Sequence, residues 1–310
     1  MTAAPQPGDR TRAPGEARRF DERFLRKLET LELAVRRAAG ARARGIRRTR
    51  RIGAGLELAD HRDYVPGDDL RYLDWNLYGR LDRRALRLFE EDEDVAIDVI
   101  VDASGSMAMG APPKIDLALQ LGAALAYVGL ANLDRVAVTA LGDGAAAPSL
   151  PAQRGKNRIL RILRLFEGVT ANGRQPLSSA LRAHLGRRTG RRGGVAVLIS
   201  DFYDPAGARA ALDLLRANRL MPIAIQVTAP DELAPALRGD VRVRDVETGE
   251  THDLTISPAA VTSYLQRLAA LRRALEGHCR ERGIPCFVVT SDQPLDAVVL
   301  RMFRTGGLLG

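Results

Sequence analysis

The fold is decided by the stretch Val95-Ala-Ile-Asp-Val-Ile-Val-Asp102-Ala-Ser104-Gly-Ser106-Met107. Its first seven residues are almost all apolar, which is typical of a parallel strand covered on both faces of its sheet. A carboxylate and two hydroxyls follow at steps of two, in a loop that Gly105 allows to turn tightly. The stretch therefore predicts a buried strand that ends in a cluster of oxygen-bearing side chains.

Strands and helices alternate on the C-terminal side of this stretch. The apolar periodicity predicts helices over 114–130, 159–166, 177–185, 206–218, 258–282 and 295–304, and strands over 135–141, 195–199, 222–227 and 286–290. Residues 241–244 alternate as a half-exposed strand, and residues 247–250 predict its hairpin turn. Strands separated by helices are typical of a doubly wound, mostly parallel α/β sheet with helices on both faces.

The first 90 residues have a different character. Residues 1–17 are rich in Pro, Gly and Ala and predict a disordered tail. Residues 18–39 carry apolar side chains at spacings of three and four, which predicts an amphipathic helix that Gly40 ends. Residues 53–89 predict short strands and ordered loops. We therefore expect three regions: the tail of residues 1–17, an N-terminal region of helix, Arg-rich connector and β/loop elements over 18–90, and an α/β domain over 91–310.

The composition is that of a soluble globular protein. Of the 310 residues, 45% are hydrophobic and 27% are charged. We expect no membrane span, because such a span requires about 18 apolar residues in one run. The N-terminus lacks the basic start and apolar centre of a secretory signal, so we expect a cytoplasmic protein. The two cysteines, Cys279 and Cys286, are too few for a disulfide framework and are interpreted as small buried hydrophobes.

Positive charge is concentrated near the N-terminus. Residues 1–60 carry a net charge of +7, out of +9 for the whole chain. Six arginines without any acid occupy the segment 41–51: Arg42, Arg44, Arg47, Arg48, Arg50 and Arg51. We interpret this basic segment as a solvated connector, and the alternative is a site for phosphate-rich partners or for an acidic protein face. Because no aromatic residue lies between Phe24 and Tyr64, single-stranded nucleic acid would find no stacking platform there.

Polar side chains also follow the second buried strand, which ends in Val197-Leu-Ile-Ser-Asp201. In open α/β sheets, ligands bind beyond the carboxyl ends of the strands, where the strand order reverses. We therefore expect one cluster at that edge: Asp102, Ser104, Ser106 and Asp201. Four oxygen ligands, two of them anionic, match a small hard divalent cation such as Mg²⁺. The alternative is a structural remnant in which the two carboxylates accept backbone N–H bonds and hold the loops.

These residues resemble the metal-ion-dependent adhesion site of the von Willebrand factor type A domain. Its pattern is Asp-x-Ser-x-Ser, a Thr on a later loop and an Asp after a later strand, and the matching residues are Asp102, Ser104, Ser106 and Asp201. The Thr position aligns with Gln175, in the segment Gly173-Arg-Gln-Pro-Leu177. The resemblance implies a divalent-cation site, and an amide oxygen in place of the Thr hydroxyl implies weak or water-mediated binding at that position.

A second resemblance covers most of residues 45–305. The family called domain of unknown function 58 has a signature similar to the run Arg62-Asp-Tyr-Val-Pro-Gly-Asp68-Asp-Leu-Arg71-Tyr-Leu-Asp74-Trp75, with Gly79-Arg80 and Phe89-Glu90 after it. Matches at residues 133–136, 245–250 and 291–295 follow in the same order. The resemblance implies a von Willebrand type A core with family-specific N-terminal elements, which in bacteria is often found with a MoxR-type AAA+ ATPase.

Charged residues in and just after this run have two interpretations. In the first, they form an ion-pair network that docks the N-terminal region on the main sheet. In the second, they form a recognition surface for a partner near the metal site. The residues concerned are Arg62, Asp68, Arg71, Asp74 and Arg80.

Familiar catalytic patterns are missing from the sequence. It has no Gly-x-x-x-x-Gly-Lys-Ser/Thr loop, and Ser104 and Ser106 lack the flanking glycines of a Gly-x-Ser-x-Gly elbow. The four histidines show no metal-ligand spacing. We therefore expect a non-enzymatic protein–protein interaction module that works with the AAA+ ATPase in chaperone-like assembly or remodelling. Nucleic-acid binding through the basic segment is the alternative, and metal-dependent phosphoester hydrolysis is a minor one.

The nucleic-acid alternative makes a prediction about salt. Affinity for DNA or RNA should fall steeply as the salt concentration rises, because neutralised phosphates release their counterions. Deletion of residues 41–51 should then abolish retention on immobilised DNA or RNA at low salt. Retention that survives the deletion would contradict this alternative.

Overall fold

A computed structural model of the chain describes residues 19–42, 52–53, 57–90, 96–142, 147–187, 193–236, 238–246 and 249–305. The predicted tail, residues 1–17, lies outside these residues. The N-terminal region comprises α1 (Glu22–Arg42), β1 (Ile52–Gly53), β2 (Glu57–Asp63), α2 (Trp75–Leu81) and β3 (Ala85–Glu90). The chain continues with β4 (Ala96–Asp102), α3 (Lys114–Ala131), β5 (Arg135–Leu141), β6 (Ser149–Gln153), α4 (Ile159–Glu167), α5 (Leu177–Arg187), β7 (Gly194–Ser200), α6 (Pro205–Ala217), β8 (Leu220–Thr228), α7 (Pro230–Leu233), β9 (Gly239–Arg244), β10 (Thr251–Ile256), α8 (Pro258–Glu281), β11 (Cys286–Thr290) and α9 (Leu295–Arg304).

The main sheet has its described strands in the order β11-β8-β7-β4-β5-β6. Neighbouring strands pair in parallel, except for the edge strand β6, which runs antiparallel to β5. The chain forms β5 and β6 on one side of β4 and then returns to form β7 on the other side. The predicted mostly parallel α/β sheet is therefore confirmed, and the reversal of strand order places the carboxyl ends of β4 and β7 side by side.

Helices cover both faces of the main sheet. Helices α1, α3, α4 and α9 share one apolar core with the sheet, and α5, α6 and α8 share the other. Helix α3 is apolar on all sides and almost entirely buried, which is the pattern of a helix at the centre of a domain. Contrary to our expectation from the sequence, α3 is long and apolar enough to cross a membrane by composition alone, but 89% of it is buried inside the protein.

The first helix packs on its own chain. Its apolar side chains enter the core beside α3 and α9: Phe24, Leu28 and Leu31. Polar contacts reinforce this position, because the Arg19 guanidinium donates to Asp116 Oδ1 at 2.8 Å and the Tyr127 hydroxyl donates to Glu32 Oε2 at 2.9 Å. The apolar face of α1 is therefore part of the fold of this chain.

Several elements differ from the sequence prediction. Helix α1 continues through Gly40 to Arg42, since one glycine inside a helix costs only about 1 kcal/mol. Residues 75–81 form helix α2 where short strands and loops were expected, because Asp74 caps it by accepting hydrogen bonds from the backbone N–H groups of Asn76 and Leu77. The edge strand β6 and the short α7 were also not predicted.

The predicted hairpin is present as a separate two-stranded antiparallel sheet, β9 with β10. The Asp245 N–H donates to the Glu250 carbonyl at 2.8 Å and closes its turn, of which residues 247–248 lie outside the described part of the chain. Nearly all residues of both strands are exposed. The two strands therefore contribute no buried residue to the two apolar cores of the described part of the chain.

The packing of α1 leads to a stability prediction. Leu28 is 1% exposed and Leu33, on the same helix, is 58% exposed. Leu28→Ala should lower the free energy of unfolding by about 2 to 4 kcal/mol, because it removes buried methyl groups and leaves a cavity. Urea unfolding measures this loss, with Leu33→Ala as the matched control. Equal stability of the two variants would mean that α1 does not pack on the core.

Candidate functional site

The carboxyl ends of β4 and β7 bring together the four predicted ligands. Asp102 is the last residue of β4, and Asp201 directly follows β7. The two strands are hydrogen-bonded neighbours, and the two carboxylates interact electrostatically. Ser104 and Ser106 lie in the loop after β4, and their hydroxyl oxygens are 3.1 Å apart. We call these four residues the oxygen cup.

Asp102 is buried at the base of the oxygen cup. The Ser200 hydroxyl donates to its Oδ2 at 2.6 Å, and the Ser104 backbone N–H donates to its Oδ1 at 2.8 Å. Burial and, after it, the negative charge of Asp201 raise the pKa of Asp102 to about 6, although the hydrogen bonds from Ser200 and Ser104 oppose this shift. The oxygen cup therefore holds more negative charge than its hydrogen bonds neutralise.

The loop after β4 packs closely against the segment around Gly173, and a side chain at either Gly105 or Gly173 would meet a tight contact. A Cβ on Gly105 would lie 3.1 Å from the Val246 carbonyl oxygen, and a Cβ on Gly173 would lie 3.1 Å from the Ala103 carbonyl oxygen. The Gly105 N–H donates to the Gly173 carbonyl at 2.8 Å, and the Gly173 N–H donates to the Ala103 carbonyl at 3.0 Å. The loop is thus fixed by backbone contacts, and the turn of the β9–β10 hairpin lies against it.

A buried lysine contacts Asp201, the second carboxylate of the oxygen cup. Lys114 begins α3 and is fully buried. Its ammonium donates to Asp201 Oδ2 at 2.9 Å and to Glu232 Oε1 at 2.6 Å, and it lies 4.4 Å from the centre of the Tyr203 ring. The Tyr203 hydroxyl donates to Glu232 Oε2 at 2.5 Å. We call Lys114, Glu232 and Tyr203 the lysine network.

Sequence reasoning missed the lysine network and Ser200. One signal was available, because Lys114 is the only basic residue of α3 and stands at its N-terminus. A cation at that end of a helix opposes the helix dipole and therefore needs anionic partners. Its partner Glu232 gave no signal, because it lies 118 residues further along the chain.

Gln175 aligns with the Thr position of the adhesion-site pattern, and it lies in a segment next to the oxygen cup. Gly173 forms a parallel bridge with Ser104, and Gln175 follows it by two residues. Gln175 is exposed, as is Thr170 on the other side of Gly173. The contacts described above between this segment and the loop after β4 are made by backbone atoms.

The charged residues of the segment 61–74 form local pairs. These are Arg62 with Asp68 at 2.9 Å, Arg71 with Asp69 at 2.6 Å, and His61 with Asp74 at 2.8 Å. Arg80 is exposed on α2 and makes no ion pair with a described residue. The observed pairs join residues close in sequence, so they stabilise the N-terminal region itself, whereas the proposed docking network required pairs that reach the main sheet.

Most of the basic segment lies outside the residues that the structure describes. Arg42 is the last residue of α1, and nothing is described of its side chain. The remaining arginines lie outside the described residues: Arg44, Arg47, Arg48, Arg50 and Arg51. Their interpretation stays a prediction.

Comparison with known proteins finds a family and full-length relatives. The model of a family described as "Protein of unknown function DUF58" matches residues 60–274. The uncharacterized protein Rv1480 of Mycobacterium tuberculosis is 30% identical over 298 residues, which are 94% of this chain and 93% of that protein. The uncharacterized protein Mb1516 of Mycobacterium bovis matches with the same identity and coverage.

Solved structures similar in fold include a von Willebrand factor type A protein from Catenulispora acidiphila. It is 17% identical with a TM-score of 0.39, and the match covers 71% of this chain and 43% of that chain. The conserved hypothetical protein BatB of Bacteroides thetaiotaomicron is 14% identical with a TM-score of 0.39, over 68% of this chain and 98% of that chain. The fold of this chain is read from its own described strands, which form a six-stranded, mostly parallel α/β sheet.

The raised pKa of Asp102 predicts how stability changes with pH. Its folded-state pKa of about 6 lies above its ordinary value of 3.8, so the folded state binds this proton more tightly than the unfolded state does. The resulting stabilisation is complete below pH 4 and is lost as the pH rises through 6. A shift of about two units corresponds to about 3 kcal/mol.

Asp102→Asn removes this titration and serves as the comparison. In EDTA, the stability of the unmodified protein relative to Asp102→Asn should fall by about 2 kcal/mol between pH 4 and pH 7. Urea unfolding at a series of pH values measures the difference. Parallel pH profiles for the two proteins would show that the surroundings of Asp102 do not raise its pKa.

Proposed function

Since the chain belongs to the DUF58 family, whose description names no activity, we propose from the geometry of the oxygen cup that it is a non-enzymatic protein–protein interaction module. One observation carries the proposal. Two carboxylates from adjacent strands and two hydroxyls converge at the edge of the sheet where the strand order reverses. This is the place where open α/β sheets bind their ligands.

The residues of the oxygen cup fit a divalent cation. The Ser104 and Ser106 oxygens are 3.1 Å apart, about the spacing of adjacent ligands around an octahedral Mg²⁺ with bond lengths of roughly 2.1 Å. Three buried carboxylates share this cluster with one ammonium: Lys114 contacts Asp201 and Glu232, and Asp102 interacts with Asp201. The cluster can therefore accept two further positive charges.

The ligand set is one of oxygen atoms. Among the described residues, no group of three or more His, Cys, Asp or Glu side chains is placed to hold a metal, so hydroxyls must complete the set, which suits a hard cation. A divalent cation held by Asp102, Ser104 and Ser106, beside Asp201, would supply positive charge for a carboxylate of a partner protein. We infer that the cation is Mg²⁺ or a similar ion.

The side chains of the oxygen cup support binding better than catalysis. The Ser104 hydroxyl is hydrogen-bonded to Ser106 and to Asp102. These partners are a hydroxyl and a carboxylate, whereas a catalytic serine is typically activated by a histidine. Lys114 is fully buried against two carboxylates and cannot reach a substrate. The groups of the oxygen cup therefore hold and orient an oxygen ligand from outside.

The identity of the partner is proposed from the family resemblance. A MoxR-type AAA+ ATPase is the partner that the resemblance implies, and chaperone-like assembly or remodelling of other proteins is the activity that such a pair would carry out. An exposed Asp or Glu of the ATPase would be the group that meets the oxygen cup.

A binding measurement with a purified MoxR-type ATPase from the same genome tests this function. Asp102→Ala should weaken binding by roughly 30-fold or more, since loss of one partner of a buried charge pair costs about 2 kcal/mol or more. EDTA should weaken binding of the unmodified protein to a similar extent and should have little further effect on the variant. Calorimetry or surface plasmon resonance gives both affinities.

The control for this experiment is Glu29→Ala, which removes an exposed carboxylate from α1. Circular dichroism establishes that each variant is folded. If Asp102→Ala binds the ATPase as tightly as the unmodified protein does, with and without EDTA, the proposed docking site is wrong.

A further inference from the structure

We propose that Lys114 is the internal counter-cation of the oxygen cup. It is a positioning residue that holds Asp201 in place before any divalent cation binds. Its positive charge also sets how much negative charge of the carboxylates is left for that cation to balance. The inference rests on the proposed function for its metal component. Its electrostatic component, the pairing of Lys114 with Asp201 and Glu232, stands on the structure of the chain alone.

The contacts of Lys114 are those of a fixed charge. The side chain is completely buried, and the side chains of Asp201 and Glu232 are 4% and 9% exposed. Its ammonium donates to one oxygen of each carboxylate, at 2.9 Å and 2.6 Å. The Tyr203 ring, 4.4 Å away, adds a favourable cation–π contact. Because both hydrogen-bond partners are carboxylates, these contacts form a buried ion-pair cluster.

The backbone around Asp201 also fixes its orientation. The Gln226 side-chain amide donates to the Asp201 carbonyl at 2.9 Å, and the Tyr203 N–H donates to Asp201 Oδ1 at 3.3 Å. Phe202, which stands between Asp201 and Tyr203 in the chain, adopts a left-handed backbone conformation with φ of 55°. Such a conformation is unfavourable for a bulky residue and persists only where the surroundings enforce it.

Glu232 extends the effect of Lys114 beyond the oxygen cup. Its Oε2 accepts hydrogen bonds from the Tyr203 hydroxyl at 2.5 Å and from the Ala229 N–H at 2.8 Å. Glu232 lies in α7, between β8 and the β9–β10 hairpin. One lysine therefore joins the start of α3, the loop after β7 and the segment that leads into the hairpin.

Loss of the ammonium has a definite electrostatic consequence. Without it, the buried carboxylates of Asp201 and Glu232 would lose the cation that they share, beside an Asp102 carboxylate that already interacts with Asp201, and breaking a buried ion pair is strongly destabilising. A divalent cation in the oxygen cup would then relieve more repulsion than it does in the unmodified protein. Lys114→Met should therefore make the stability of the fold depend on Mg²⁺.

Thermal unfolding in EDTA and in excess MgCl₂ tests the proposal. In EDTA, Lys114→Met should lower the Tm by about 10 °C, as expected for a broken buried ion pair in a protein of this size. In MgCl₂, the variant should regain at least half of that loss, and the unmodified protein should gain less. Lys156→Met is the matched control, because Lys156 pairs with Glu32 at 3.3 Å but is 59% exposed, and it should change the Tm by only about 1 to 2 °C.

A second variant keeps the test decisive if Lys114→Met does not fold. Lys114→Met combined with Glu232→Gln removes one positive and one negative charge, so it should be more stable in EDTA than Lys114→Met alone. Recovery of a soluble, cooperatively unfolding protein in this double variant supports the counter-cation role. A double variant as unstable as Lys114→Met, or a Lys114→Met protein as stable in EDTA as Lys156→Met, would overturn it.

The two proposals fail in different ways. If titration calorimetry detects no Mg²⁺ binding to the unmodified protein or to Lys114→Met, the metal component of the proposed function is wrong. The recovery of the double variant in EDTA would then still support the pairing of Lys114 with Asp201 and Glu232. If Mg²⁺ binds but stabilises Lys114→Met no more than it does the unmodified protein, Lys114 does not set the charge of the oxygen cup.

Discussion

Two carboxylates buried side by side, those of Asp102 and Asp201, impose the constraint on which the rest of the site depends. The parallel pairing of β4 and β7 brings them together, and the negative charge of Asp201 adds to burial in raising the pKa of Asp102. Hydrogen-bond donors surround both carboxylates: the Ser200 hydroxyl and the Ser104 N–H at Asp102, and the Lys114 ammonium at Asp201. A site built in this way attracts positive charge, which is why binding of a cation or of a cation-bridged partner is the function that its chemistry supports.

The scaffold explains why this arrangement is tolerated. Both carboxylates lie at the ends of strands whose other residues are deeply buried, so the backbone cannot move to separate them without disturbing two apolar cores. The loop after β4 is also held in place, because backbone hydrogen bonds join Gly105 to Gly173 and Gly173 to Ala103. Rigid strands and a tightly packed loop therefore preorganise the oxygen cup, as a binding site on a stable scaffold requires.

The N-terminal region contributes to the fold in a way that its sequence leaves open. Helix α1 lies on α3 and α9 and completes one of the two cores, so the chain covers its own apolar face. The small sheet of β1, β2 and β3 carries α2, on which Trp75 and Leu81 are exposed. Helix α1 thus covers one core, whereas the small sheet and α2 form a separate surface whose charged pairs, Arg62 with Asp68 and Arg71 with Asp69, are short-range.

The sequence by itself determined the fold class, most helix and strand positions of the α/β domain and the four residues of the oxygen cup, because apolar periodicity and an Asp-x-Ser-x-Ser motif after a buried strand are local signals. It also predicted the hairpin from one turn. Local signals failed at Gly40, where tertiary packing of α1 outweighed the helix-ending tendency of one glycine, and at residues 75–81, where one capping aspartate started a helix. Only the tertiary structure decided that Lys114, Ser200 and Glu232 surround the carboxylates, since these contacts join residues about a hundred positions apart and their energy depends on burial, which no local pattern of residues reveals.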